Sequence, residues 1–145
     1  MSTHRNLGCL YVDTDGVIRF GFNSLSPGFV TGTDLLAQNI IIRLFTTQTS
    51  NAFDGDIGGS LYDIVGNGYV VGDEDNLRED FTNAFAFVES QIIEEQLVQN
   101  DLDSYEKLSK IEVESVEYNT DTKAWDIQVR VLTEGGTVST FLLNT

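Results

Sequence analysis

An α+β fold, with helices followed by a three-stranded antiparallel sheet and a short N-terminal hairpin or arm, is predicted by three observations in this 145-residue chain. Leu77, Phe81, Phe85, Val88, Ile92 and Leu97 recur at helical spacing. Trp125, Ile127, Val129 and Val131 alternate with Asp126, Gln128 and Arg130, as in a half-buried strand. Gly135-Gly136 then supplies a tight turn before a last apolar strand over 138–143, so three strands follow one another and at least one edge of the sheet stays open.

Taken in order, residues 10–22 carry β-favouring side chains on either side of Asp13-Thr14-Asp15-Gly16, which suits a hairpin. Residues 23–32 are rich in Ser and Gly and hold the only proline, Pro27, so they read as an irregular arm. The chain divides on this reading into a hairpin and arm, 1–32, and a single α+β domain, 33–145. The first helix starts at Thr33 or Asp34, whose oxygen can accept from a free first-turn amide. Leu36, Ile40 and Leu44, joined by Ala37 and Ile41, form its inward stripe, and Ile40-Ile41-Ile42 predicts burial on more than one side. Thr46 and Thr47 end it.

A loop over 48–59 leads to a short helix over 60–65 with Leu61, Ile64 and Val65 inward, closed by Gly66 and Gly68. The long amphipathic helix is expected over 73–100, with Asp73, Glu74 and Asp75 at its positive end. In the next strand Ile111 and Val113 are out of phase with Val116 and Tyr118. One extra residue, a bulge near Glu114 or Ser115, restores the register.

Twenty-three acidic residues against eight basic ones give a net charge of −15. That field repels phosphate backbones and anionic headgroups, so neither nucleic acid nor membrane is an expected partner. It also suits a subunit that must stay soluble and dock on a basic surface. A single cysteine, Cys9, excludes an internal disulfide and reads as a small hydrophobe. The apolar run 7–12 is too short for a signal-peptide core or a span of roughly 20 residues, so the chain is expected to be soluble and unprocessed.

Chemistry finds little purchase. The Asp13-Asp15 and Asp54-Asp56 turns invite a calcium reading, but Ser24 and Val65 stand where a twelfth-position glutamate belongs, so no metal is expected. Gly66-Asn67-Gly68 lacks the lysine of a phosphate loop. His4 is the only histidine and has no orienting acid and nucleophile beside it. Glu94 and Glu95 point about 100° apart on one helix and read as a solvated face. Trp125 belongs to the core stripe. No cofactor and no catalytic residue is assigned.

One stretch carries a family likeness: Thr46-Thr47, then Phe53-Asp54, Gly58, Leu61 and Asp63, lying between a buried first helix and a short second one. It resembles the baseplate-wedge, or sheath-initiator, family of contractile-tail bacteriophages, sometimes labelled lysozyme-like, whose relatives occur in type VI secretion baseplates. Glu106 falls where that family carries Glu-Pro-Arg before its sheet, with Lys107 and Leu108 in place of Pro and Arg. The likeness spans 33–143. It implies a structural, non-enzymatic subunit, present in six copies around the tail tube, that links the wedge to the first sheath ring and starts sheath assembly. The implied partners are the tail sheath protein, the baseplate wedge proteins and the tube or tube-initiator protein. The implied location is the tail baseplate of a virion assembled in the host cytoplasm. On this reading Glu106 and Lys107 face the wedge, while Val138, Thr140, Phe141, Leu142 and Leu143 pair with sheath arms. The alternatives are a small carboxylate-dependent peptidoglycan glycosidase and a cytoplasmic anti-adaptor of the same fold.

Overall fold

The computed structural model describes residues 6–7, 10–12, 18–20, 29–30, 32–46, 58–59, 64 and 68–144. Four short strands come first. β1 (Asn6–Leu7) pairs antiparallel with β4 (Phe29–Val30), and β2 (Leu10–Val12) with β3 (Ile18–Phe20). The expected hairpin is therefore the β2–β3 ladder, with its turn outside the described residues. The end of the expected arm is not irregular: Phe29 and Val30 return to pair with Leu7 and Asn6.

Helix α1 spans Gly32–Phe45, beginning just ahead of the expected Thr33 or Asp34. Leu35, Leu36, Gln38, Ile40, Ile41 and Leu44 are all buried, so the helix is enclosed on more than one side, as its near-continuous apolar run predicts. Thr46 closes it, its amide and its hydroxyl both donating to the Ile42 carbonyl at 2.9 and 2.7 Å. The returning chain then crosses this helix end at Gly59, whose amide donates to the Thr46 carbonyl. A Cβ there would lie 3.1 Å from the Leu44 carbonyl oxygen and 3.3 Å from its Cα, so only glycine allows so close a crossing without displacing α1 backbone. Of the short helix expected over 60–65, only Ile64, helical and buried, is described.

Helix α2 spans Glu74–Leu97 and stops three residues before the expected end, at a turn through Val98 and Gln99. Leu77, Phe81, Ala84, Phe85, Val88 and Ile92 are buried, with Phe81 and Phe85 ring centroids 6.3 Å apart. Leu97 departs from the expected stripe: it is 75% exposed, because the core ends one turn earlier. Glu74 and Asp75 do lie in the first turn, against the positive end of the helix. Asp73 is the N-cap residue, but its carboxylate accepts from the Val70 amide in the preceding turn rather than from the helix.

Strands β5 (Leu108–Asn119), β6 (Ala124–Thr133) and β7 (Val138–Asn144) make one antiparallel sheet in that order, with β6 central. The β5–β6 register slips between Val113 and Ser115, placing a bulge at Glu114 where the apolar phase shift predicts one. Trp125, Ile127, Val129 and Val131 are buried against the helices, while Gln128 on the opposite face is exposed. Tyr118 meets Trp125 edge to face at 5.2 Å, a contact contributing about 1 kcal/mol beyond its buried area. The sheet thus has a core face against the helices and an outer face away from them.

Candidate functional site

The position of each backbone group on the sheet follows from one hydrogen bond. The Thr133 amide donates to the Thr137 carbonyl at 3.0 Å across the β6–β7 turn, so this is a hydrogen-bonded pair. Such pairs alternate with non-bonded ones along an antiparallel ladder. Val131–Ser139, Val129–Phe141 and Ile127–Leu143 are therefore bonded pairs, whereas Val138, Thr140, Leu142 and Asn144 turn both N–H and C=O away from β6. Among the described residues, no backbone pairs with that outer edge.

The same alternation turns Ile111 of β5 outward on the other side of the sheet, and there the outcome differs. Ile111 donates its amide to a Glu89 carboxylate oxygen at 2.7 Å. Gln96 makes a two-way bridge, its Oε1 accepting from the Leu108 amide at 2.8 Å and its Nε2 donating to the Glu106 carbonyl at 2.9 Å. Both side chains come from α2, which lies along the first half of β5 and satisfies its edge with polar groups. The first half of this edge is closed by side chains of the same chain. Along the other, no backbone among the described residues pairs with the outward groups.

The side chains of β7 divide by register. Val138, Thr140 and Leu142 stand opposite Leu132, Arg130 and Gln128, on the outer face, and are exposed, Val138 by 51% and Leu142 by 42%. Leu143 stands opposite Ile127 and is only 5% exposed. Of the residues expected to meet a sheath arm, Val138, Thr140 and Leu142 therefore present side chains as well as backbone. Leu143 gives its side chain to the chain's own core, because pairing with Ile127 fixes it on the inner face. Phe141 lies at the register position opposite Val129. Residues 135–145 contain no charged side chain, although the chain as a whole carries 31. That signal was present in the sequence and marks β7 apart, since edge strands are ordinarily blunted by charge or proline.

The outer face changes character from one edge to the other. Near β5 it is ionic: the Glu112 carboxylate meets Lys110 Nζ at 2.9 Å and Arg130 Nη2 at 2.6 Å, and Arg130 Nε lies 3.6 Å from Glu114. The hydrogen bond from Lys110, then that from Arg130, hold the Glu112 carboxyl below the usual carboxylate range. Near β7 the face is apolar, formed by Val138, Leu142 and half-buried Leu132.

Glu106 and Lys107 fall on the turn entering β5. Glu106 is 5% exposed and its carboxylate accepts from the Asp103 amide at 3.3 Å, so the side chain serves this turn instead of lying on a free surface. Lys107 is half-buried, and its carbonyl accepts from the Glu134 amide at 2.9 Å, while the Gly135 amide donates to the Ser104 carbonyl. These bonds tie the tip of the β6–β7 hairpin to the 104–107 segment. Gly135 lets the two segments approach closely: a Cβ there would come within 2.8 Å of the exposed Tyr105 ring, which would have to swing aside. The structure therefore brings Glu106 and Lys107 next to the point from which β7 departs, a proximity that their spacing in the sequence does not disclose.

A cavity of about 340 Å³ opens between α1 and α2, lined by Leu36, Asn39, Arg43, Glu95, Gln96 and Glu106. Arg43 and Glu95 pair with each other inside it. Among the described residues no three His, Cys, Asp or Glu side chains gather where a metal ion could be held, and no helix is long and apolar enough to cross a membrane. His4, Cys9 and the aspartates of both candidate calcium turns lie outside the described residues. No family model matches the chain, and no curated protein matches it.

Proposed function

We propose that this chain is a structural subunit of a contractile-tail baseplate, joining the wedge to the first sheath ring, and that β7 accepts an extended arm of the sheath protein as a fourth strand. The observation that carries the reading is the β7 edge, which no described strand pairs, uncharged and flanked by exposed Val138 and Leu142. Strand addition uses such an edge: backbone bonds supply affinity and alternate side-chain contacts supply specificity. Each added bond contributes only ~1 kcal/mol net, so the several outward groups of β7 must act together with burial of Val138 and Leu142. The sequence likeness at Thr46-Thr47, Phe53-Asp54, Gly58, Leu61 and Asp63 supports the same reading and supplies its six-fold setting around the tube. The wedge then meets the 104–107 segment, where Lys107 offers a charge and Glu106 holds the turn in shape.

Thr140→Pro tests the proposal. Its outward amide takes no part in the chain's own ladder, so proline removes a bond only from an incoming strand. Co-expressed with the wedge, tube and sheath proteins of the same tail, the variant is expected to enter baseplates and permit tube growth while sheath fails to start, as read by electron microscopy. Normal sheath on Thr140→Pro particles would overturn the proposal. Clearing of a peptidoglycan suspension by the purified protein, lost on substitution of one acidic residue, would replace it with the glycosidase reading.

A further inference from the structure

We infer that, before any arm arrives, two copies of this chain close each other's open edge by pairing β7 with β7 across a two-fold axis at Thr140. The inference rests on the geometry and composition of β7, and stands whether or not the eventual occupant is a sheath arm.

Three observations point to a second copy. An antiparallel two-fold register through Thr140 places outward backbone groups against outward backbone groups: Val138 faces Leu142 of the other copy, Thr140 faces Thr140, and Leu142 faces Val138. Those three bonded pairs would form roughly six backbone hydrogen bonds. Second, the register is self-complementary in its side chains. The two exposed apolar residues of the outer face, Val138 and Leu142, meet twice, and each covers surface that the free chain leaves in water. Shifting the strands by two residues sets Val138 against Asn144 and Leu142 against Thr140, which forfeits both apolar contacts.

Third, electrostatics permit the approach along β7. Two bodies of net charge −15 repel strongly, and any acidic residue on the joining strand would place like charges opposite each other. Residues 135–145 carry none. Of the ion-paired cluster on the outer face, Glu112 and Lys110 lie on β5, the far strand of each sheet, while Arg130 on β6, opposite Thr140, is held to Glu112 and brings no acidic group to the joint. The product is a continuous six-stranded sheet in which neither copy keeps an exposed β7 edge. The joint is a single short strand pair, smaller than the area a permanent dimer buries, so it is weak and displaceable. That suits an edge that must later be given up to a longer arm.

Sedimentation velocity on the purified chain, from about 1 to about 100 µM, tests this, since weak self-association shows as a concentration-dependent shift. Wild type is expected to pass from monomer toward dimer over this range, and to do so at lower concentration as added salt screens the repulsion between copies. Thr140→Pro is expected to stay monomeric throughout with an unchanged circular dichroism spectrum. Val138→Lys, a substitution at an exposed site, serves as a second variant should the proline disturb folding, and is expected to weaken the dimer at least tenfold. A chain that remains monomeric at every concentration overturns the inference. So does a dimer that survives both substitutions, or one that loosens as salt rises, since either would place the contact elsewhere. Sheath initiation is read on particles and self-pairing on the purified chain, so one can fail without the other.

Discussion

Along β5 the outward amides of Leu108 and Ile111 are taken up by Gln96 and Glu89 of α2, whereas along β7 the outward groups of Val138, Thr140, Leu142 and Asn144 meet no backbone among the described residues. Both are outer strands of one small sheet, built from similar β-favouring residues. What separates them is the placement of a single helix. α2 packs beside β5 and supplies polar side chains at the spacing that strand needs, and among the described residues no backbone does the same for β7. An unpaired edge normally invites uncontrolled pairing, which natural chains suppress with lysine, proline or a bulge. Here the bulge lies at Glu114 on the partly closed strand, and the open strand has no such device. The asymmetry is the physical basis for reading β7 as a joint.

The comparison breaks most sharply at two adjacent residues. Ser139 belongs to a bonded pair with Val131, so Ser139→Pro removes a ladder bond and leaves the Val131 carbonyl unsatisfied, at an expected cost of about 3 kcal/mol. Thr140→Pro, one residue on, removes only an outward amide and is expected to change stability by less than about 0.5 kcal/mol. Urea unfolding of the two variants measures the contrast. Equal losses would mean that the alternation derived from the Thr133–Thr137 bond is wrong and that β7 is not turned outward at Thr140.

On the closed edge the decisive residue is Gln96. Gln96→Ala leaves the Glu106 carbonyl and the Leu108 amide without partners in a half-buried setting, and is expected to cost about 2 kcal/mol. Gln96→Glu keeps the acceptor for Leu108 but loses the donor to Glu106, so its loss should fall between wild type and alanine. The readout that bears on the edge is amide exchange at Leu108, which should quicken in Gln96→Ala with β7 protection unchanged. A β7 that loosens equally would show that the two edges are not independent.

How much of this was legible beforehand depends on whether a residue's role is set by its own segment or by a distant one. The α2 stripe, the β6 alternation, the Gly135-Gly136 turn and the bulge at Glu114 are periodic or local features, and the sequence carries them directly. Leu142 and Leu143 are adjacent and both apolar, so nothing local decides which faces inward; pairing of Leu143 with Ile127 decides it. Gln96 reads as an ordinary polar residue on a helix flank until β5 is placed beside it. Glu106, set on a docking surface by family likeness, turns inward because the Asp103 amide needs an acceptor in the turn before β5. Leu97 continues the helical stripe in sequence, yet the core does not extend that far.

The smallest expected effect concerns the ionic side of the outer face, and it tests whether that side is a source of stability or only a charged counterpart to the apolar side. Hydrogen bonds from Lys110 and Arg130 lower the Glu112 pKa, and the hydrogen bond to Glu112 raises that of Lys110. A lowered carboxyl contributes stability that is present above its unfolded value of about 4.3 and is lost as pH falls through the folded value. A raised lysine contributes stability that is present below its unfolded value of about 10.4 and is lost as pH rises through the folded value. Between those limits the cluster is at full strength, but it is open to water, and exposed ion pairs contribute little. Glu112→Gln should therefore leave the melting temperature at neutral pH almost unchanged while making the acid limb of the stability curve slightly shallower. Thermal melts from about pH 3 to about pH 7 check this, because only the acid limb carries the carboxyl's titration. A large loss at neutral pH would mean that the cluster fixes the β5–β6 register, and that the ionic side of the sheet, no less than α2, holds the closed edge in place.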